Sequence, residues 1–187
     1  MKRLCVYCGS SMGSRAEYRE AAESFGSLLA REKIGLVYGG GNVGLMGVVA
    51  DAVMAGGGEV IGVIPQALVD KEVAHFQVTR LHVVDTMHER KAMMAGLADG
   101  FVALPGGYGT LEELFEILTW SQLGFHPKPV GLLNTHGYYD PLLGFLHRMV
   151  EEGFLREDHR TFLAVADEGE ALLCVLRRSV PAGVAKW

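Results

Sequence analysis

Short apolar runs and helix-like patterns alternate along the whole length of this sequence. The runs predict strands at 4–8, 35–38, 60–64, 81–84, 101–104, 130–133 and 162–165, and the patterns predict helices at 15–31, 45–55, 88–97, 110–123, 140–152 and 168–178. Strands that are apolar on both faces are typical of parallel sheets covered by helices. The alternation therefore predicts an α/β fold, a single-domain, Rossmann-like, doubly wound parallel sheet with helices on both faces.

Length and charge narrow the functional class. The chain has 187 residues, which suits one domain over 1–187 with a sizeable core. Its net charge of −5 argues against general affinity for nucleic acid. No apolar run approaches the roughly 20 residues that span a membrane, and the first apolar stretch breaks at Gly9, too early for a signal peptide. We therefore expect a cytoplasmic protein that binds neither nucleic acid nor membranes.

Two cysteines near the N-terminus have the spacing of a redox motif. Cys5 and Cys8 lie inside a predicted strand, however, where residues three apart point to opposite faces. A thioredoxin-type pair would lie where a strand gives way to a helix, so we expect buried thiols instead. The sequence has no second Cys-x-x-Cys and no His-Glu-x-x-His motif, and we expect no metal.

A glycine-rich loop follows the fifth predicted strand. Residues 104–113 read LPGGYGTLEE, and a helical pattern follows them. Such a loop lets backbone N–H groups approach an anion, and the helix adds free N–H groups and the positive end of its dipole. The loop lacks the lysine that nucleoside triphosphatases use. A monophosphate needs only N–H donors and a hydroxyl such as that of Thr110.

The same segment also fits an ordinary helix start. Thr110 is a suitable N-cap, and Glu113 would complete a capping box with it. A cap and a catalytic role are equally compatible with the loop alone. Because only the first helical turn can face the loop, we expect Glu116 on the surface or in an interface.

Two further segments are expected at the carboxyl edge of the sheet. The segment 87–91 opens a helix, so Arg90 and Lys91 either meet a phosphate or carboxylate there or form a solvated basic turn. Residues 39–44 match G-x-G-x-x-G but lack an acid at the tip of the next strand. This loop therefore has three possible roles, which are dinucleotide binding, tight packing, or one wall of a nucleotide site. Residues 66–79 show no clear pattern, and we expect a short helix or a flap near the site.

Together these motifs resemble one family. The segment 105–113, PGGYGTLEE, matches the signature PGGxGTxxE of the LOG (Lonely Guy) family, whose members are cytokinin riboside 5′-monophosphate phosphoribohydrolases, many once mislabelled lysine decarboxylases. Other segments that look like the family lie at 6–11, 39–47, 62–65, 87–91, 120–124, 128–134 and 137–140. The resemblance covers about residues 4–165 without a departure at the motif positions.

The resemblance implies hydrolysis of the N-glycosidic bond of a nucleoside 5′-monophosphate, AMP or a cytokinin nucleotide, without a cofactor or metal. The family's catalytic arginine and glutamate correspond to Arg90 and Glu113. The positions that match nucleotide contacts are Glu72, Lys91, Gly106, Gly107, Tyr108, Gly109, Thr110, Leu111, Glu112 and Thr119. Family members are typically homodimers with the site near the subunit boundary. The apolar run around 115–125 fits such an interface or, alternatively, a buried core helix.

Two other functions remain to be weighed. A non-catalytic nucleotide-binding or carrier protein would keep the loop but would need no acid beside the sugar. A pyridoxal-phosphate lysine decarboxylase would need a Schiff-base lysine, and Lys91 is the only lysine near the expected site. Whether the natural base is adenine or a prenylated adenine stays open.

Overall fold

A computed structural model describes residues 1–71 and 73–178, which form a seven-stranded sheet in which every strand pair is parallel. The strands are β1 (Arg3–Tyr7), β2 (Gly35–Tyr38), β3 (Val60–Pro65), β4 (Arg80–Val84), β5 (Phe101–Ala103), β6 (Val130–Leu133) and β7 (Leu163–Ala166). The helices are α1 (Ala16–Arg31), α2 (Gly44–Ala55), α3 (Gln66–Val69), α4 (Met87–Leu97), α5 (Tyr108–Gln122), α6 (Asp140–Glu151), α7 (Glu157–Arg160) and α8 (Gly169–Arg178). A 3₁₀ turn, Thr135–Gly137, follows β6. The predicted α/β class is confirmed.

The strand order places a ligand crevice at the centre of the sheet. The order is β4-β3-β2-β1-β5-β6-β7, so the chain crosses from the edge strand β4 back to β5, beside β1. The strand order thus reverses between β1 and β5. In open α/β sheets, ligands bind outside the carboxyl ends of the strands at such a switch point. The loop after β5 is the glycine-rich segment that the sequence singled out.

Two apolar layers cover the two faces of the sheet, as expected for a doubly wound fold. Helices α1, α2 and α8 pack on one face, and α4, α5 and α6 pack on the other. Successive side chains of β1 alternate between these layers, with Leu4 in the first and Cys5 in the second. Cys5 and Cys8 lie in different layers, buried and unpaired, and burial raises the pKa of both thiols. The expectation of buried thiols is confirmed.

The capping box, one of the two alternatives for the start of α5, is wrong. The helix begins at Tyr108, with Gly107 as N-cap and no side-chain cap bond, so Thr110 is already inside the first turn. A side-chain cap occurs one helix earlier, where the hydroxyl of Thr86 accepts from Glu89 N at 3.1 Å. The carboxylate of Glu89 in turn accepts from Asp85 N at 3.1 Å. These bonds fix the start of α4, the helix that carries Arg90.

The remaining differences from the expected elements are small. Strand and helix ends lie within two residues of the predicted ones, and α3 is a short helix of the kind expected within 66–79. The short helix α7 was not predicted. None of the helices in the described part of the chain has both the length and the apolar character needed to cross a membrane.

Candidate active site

Three glycine loops interlock at the switch point. Gly9 N donates to the carbonyl of Pro105 at 3.0 Å, and the carbonyl of Gly9 accepts from Leu45 N at 3.0 Å. A Cβ on Gly106 would lie 2.9 Å from Gly9 N, and one on Gly44 would lie 2.2 Å from the carbonyl carbon of Ser10. Side chains at these positions would force the loops apart, so the glycines permit the close approach.

The glycine loop and the start of α5 form an open cradle for an anion. Gly107, Tyr108 and Gly109 are exposed, and a Cβ on either glycine would meet nothing within 4 Å. The first N–H groups of α5 have no partner within the helix, and the helix dipole is positive at this end. A phosphate can therefore approach the backbone here without a steric barrier.

Two predicted contact residues of α5 lie beneath the cradle rather than at its surface. Thr110 is buried, and a Cβ on Gly106 would lie 2.1 Å from its Oγ1, so the threonine side chain supports the loop from below. Leu111 is partly buried against the core. Glu112, in contrast, is exposed and reaches Lys91.

A buried ion pair lies beside this cradle. Arg90 Nη1 donates to Glu113 Oε1 at 2.7 Å, and both residues are 8% exposed. Arg90 Nε donates to the carbonyl of Val63 at 3.1 Å, which orients the guanidinium plane. The structure thus brings together the two predicted catalytic residues, which come from α4 and α5. The Val63 carbonyl is a partner that the sequence did not reveal.

Burial and the arginine act in opposite directions on the Glu113 carboxyl. Desolvation raises the pKa of Glu113, and the charge and hydrogen bond of Arg90 lower it, with a net rise above the ordinary value for glutamate. A carboxyl group whose pKa is shifted towards neutrality can accept and return a proton. Such perturbed groups in a cleft are typical of functional sites.

A second charged cluster lies next to the pair. Lys91 Nζ donates to Glu112 Oε1 at 2.5 Å and to Glu116 Oε1 at 3.0 Å. Glu116 therefore contacts the site through Lys91, which the prediction of a surface or interface position did not include. Burial lowers the pKa of Lys91, but the two carboxylates outweigh it and the net shift is upward. A Schiff-base lysine needs a lowered pKa, so this environment disfavours the pyridoxal-phosphate hypothesis.

The loop at 39–44 is filled by protein contacts. A Cβ on Gly39 would lie 2.0 Å from Arg90 Nη2, and one on Gly41 would lie 2.8 Å from Cε of Met46. Gly40 has a φ of +73° and packs against Ile64. These contacts support packing and a wall of the site, and they leave no free glycine face of the kind a dinucleotide requires.

One predicted contact residue of α5 lies apart from the cradle. Thr119 is exposed, donates to the carbonyl of Phe115 at 2.7 Å, and lies about 13 Å along α5 from Thr110. It lines a separate apolar cleft of about 150 Å³ between α5 and the α6–α7 region. Glu72 lies outside the described residues. Within those residues, no group of His, Cys, Asp or Glu side chains could hold a metal ion.

The sequence matches named proteins over almost its whole length. Residues 46–176 match the family model described as "Possible lysine decarboxylase". The chain is 53% identical to the cytokinin riboside 5′-monophosphate phosphoribohydrolase LOG of Oryza sativa subsp. japonica, over 96% of this chain and 74% of that protein. It is 51% identical to the enzyme LOG1 of Arabidopsis thaliana, over 96% of this chain and 84% of that protein.

This chain belongs to the LOG family. Solved structures with the same fold are more distant in sequence. A molybdenum cofactor binding protein from Rippkaea orientalis matches with a TM-score of 0.72 and 21% identity, over 95% of this chain and 97% of that one. A molybdenum cofactor carrier protein from Chlamydomonas reinhardtii matches with a TM-score of 0.70 and 19% identity, over 94% and 96%. At such low identity, these likenesses support the fold of this LOG family member and nothing more.

Proposed function

We propose that this LOG family member hydrolyses the N-glycosidic bond of a nucleoside 5′-monophosphate, releasing the free base and ribose 5-phosphate. The observation that carries the proposal is the buried Arg90–Glu113 pair beside an open phosphate cradle at the switch point. The relatives at about half identity have names that state this activity for cytokinin nucleotides. AMP and prenylated AMP are therefore the candidate substrates.

The cradle holds the unreactive end of the substrate. Backbone N–H groups over residues 106–110 bind the 5′-phosphate, with the α5 dipole adding to the attraction. Binding energy from this remote group then positions the ribose for reaction. The exposed side chains of Tyr108 and Glu112 flank the bound nucleotide, and Lys91, Leu111 and Glu72 complete the proposed binding set.

Glu113 performs the chemistry at the sugar. As the bond between C1′ and the base nitrogen breaks, positive charge develops on the ribose, and the Glu113 carboxylate stabilises that charge. Glu113 also orients the attacking water and accepts its proton as the bond from water oxygen to C1′ forms. The departing base leaves with the bonding electron pair and takes up a proton. Arg90 keeps the carboxylate ionised and oriented through the 2.7 Å hydrogen bond.

A homodimer is part of the proposal. The segments after α5 and after α6 expose large apolar side chains, with Phe125 72% exposed and Phe154 87% exposed. Thr119 lines the apolar cleft between α5 and the α6–α7 region. A second copy that covers this surface would bring Thr119 close to a nucleotide bound in the other subunit. Light scattering that finds a monomer at working concentration would contradict this arrangement.

A cytoplasmic location is also proposed. Cys5, Cys8 and Cys174 are free thiols, which suits a reducing compartment. Cell fractionation against a cytoplasmic marker tests the location.

A non-catalytic carrier remains the competing function. A carrier needs the cradle, but it has no use for a carboxylate whose burial raises its pKa and costs free energy. Incubation with AMP, GMP, CMP and isopentenyladenosine monophosphate, followed by chromatography of the products, separates the two functions. Equal amounts of free base and ribose 5-phosphate support hydrolysis, and tight binding without product supports a carrier.

A further inference from the structure

Two adjacent tyrosines after β6 hold the carbonyl groups of the glycine loop. The hydroxyl of Tyr139 donates to the carbonyl of Leu104 at 2.6 Å, and the hydroxyl of Tyr138 donates to the carbonyl of Gly106 at 2.7 Å. The intervening carbonyl, that of Pro105, accepts from Gly9 N at 3.0 Å. Three consecutive carbonyl groups of the loop therefore each have a fixed partner.

The hydrogen bond from Tyr138 also determines where an N–H group points. In a trans peptide the C=O and N–H groups point in opposite directions, and the described residues contain no cis peptide. Because Tyr138 holds the carbonyl of Gly106, the N–H of Gly107 is turned to the other side of that peptide. Among the described residues, no acceptor takes a hydrogen bond from this N–H. It therefore faces the open space of the cradle.

The turn that presents Tyr138 is itself tightly constrained. His136 has a φ of +51°, in the left-handed region that a residue other than glycine rarely adopts, and Gly137 follows with +68°. The side chain of Asn134 closes the turn, since its Oδ1 accepts from Tyr139 N at 2.8 Å and its Nδ2 donates to Asp140 Oδ1 at 2.8 Å. Such strain persists where the surrounding structure enforces it, and it is common at ligand sites.

We propose that Tyr138 is a positioning residue that keeps the Gly106–Gly107 peptide with its N–H towards the substrate phosphate, and thereby sets the preference for 5′-phosphorylated nucleosides over nucleosides. The inference rests on the proposed function, because it assigns the cradle to the 5′-phosphate. Without the hydroxyl, this peptide can rotate. Its carbonyl oxygen would then face the phosphate and repel it.

The competing explanation is that Tyr138 only packs. Its ring makes edge contacts with Tyr18, at 5.4 Å between centroids, and with Tyr139, at 4.7 Å. Tyr138→Phe keeps these ring contacts and removes only the hydroxyl. Tyr18→Phe is the matched control, since it removes a hydroxyl from the same aromatic group, and that hydroxyl has no hydrogen bond among the described residues.

The test compares the dissociation constants of AMP and adenosine by calorimetry, with Glu113→Gln present in every protein compared so that AMP is not cleaved during the titration. In Tyr138→Phe, the preference for AMP over adenosine should fall about tenfold, the loss expected for one hydrogen bond to a charged group. Adenosine affinity should stay at the value of the protein that keeps Tyr138, and Tyr18→Phe should keep the preference of that protein. An unchanged preference in Tyr138→Phe, an equal loss for both ligands, or the same effect in Tyr18→Phe would overturn the proposal.

A measurement on the wild-type protein covers the case in which Tyr138→Phe does not fold. The amide resonance of Gly107 should shift when AMP is added and stay in place when adenosine is added. If the amide resonance of Gly107 does not shift when AMP is added, the inference is overturned even if the protein cleaves AMP. This failure is therefore distinct from failure of the proposed function. A wild-type protein that binds no nucleotide would overturn both.

Discussion

Gly39 leaves the space that the guanidinium group of Arg90 occupies. A Cβ at position 39 would lie 2.0 Å from Nη2 of Arg90, a distance that two such atoms cannot adopt. Gly39, directly after β2, thus lets Arg90 reach both the carbonyl of Val63 and the carboxylate of Glu113. This relationship gives a glycine at the site a function without any contact to substrate.

Gly39→Ala should therefore impair catalysis while the protein still folds. The added methyl group displaces the Arg90 guanidinium, and a shift of about 1 Å in a positioned group can lower the rate about a hundredfold. Steady-state kinetics with AMP measures the loss. The control is Gly96→Ala in α4, where a Cβ meets nothing within 4 Å, and alanine should be neutral or stabilising. Wild-type kinetics in Gly39→Ala would show that the position of Arg90 is unimportant.

The ion pair should show strong coupling in stability. Arg90→Met leaves the Glu113 carboxylate buried without its partner, and Glu113→Met leaves the Arg90 guanidinium buried without its partner. Each single change should therefore cost about 3–5 kcal/mol in free energy of unfolding. The double variant leaves no buried charge and should lose less than the sum of the singles. Urea denaturation measures all three. Losses that simply add would mean that the two side chains do not depend on each other.

Activity should depend on pH through Glu113. Because burial raises its pKa and the ionised form is the active one, kcat/KM should increase with pH through a value above about 4.3, the ordinary pKa of glutamate. In Arg90→Gln the opposing charge is lost, so this limb should move to higher pH. The raised pKa of Glu113 also affects stability. At pH values between the pKa of Glu113 in the unfolded state and that in the native state, the native state binds more protons. The Glu113 contribution to unfolding free energy therefore falls as pH rises. A limb that does not move in Arg90→Gln contradicts the assignment.

Much of the fold could be predicted because apolar runs identify buried parallel strands directly. The start of α5 could not, since Thr110 and Glu113 satisfy the capping pattern equally well whether or not the helix begins two residues earlier. Gly107 is the N-cap of the helix and makes no side-chain cap bond, while Thr110 packs beneath the loop. Local sequence patterns do not include such packing.

The site was predictable only where neighbouring residues share one loop. The cradle at 105–110 is visible as a motif, whereas Arg90 and Glu113 are far apart in sequence and only the resemblance paired them. The roles of Gly39 and Tyr138 depend on distances across the sheet edge, to Arg90 and to the carbonyl of Gly106. No spacing rule in one sequence reveals those contacts.

The two carboxylates of the signature, Glu112 and Glu113, provide the most direct test of the proposed hydrolysis. Wild-type protein, Glu113→Gln and Glu112→Gln are incubated with AMP, and adenine and ribose 5-phosphate are quantified, with circular dichroism as the check on folding. Folded Glu113→Gln should lose at least about a hundredfold in rate, whereas Glu112→Gln, altered at an exposed residue, should lose much less. Wild-type rates of adenine release from Glu113→Gln would contradict it.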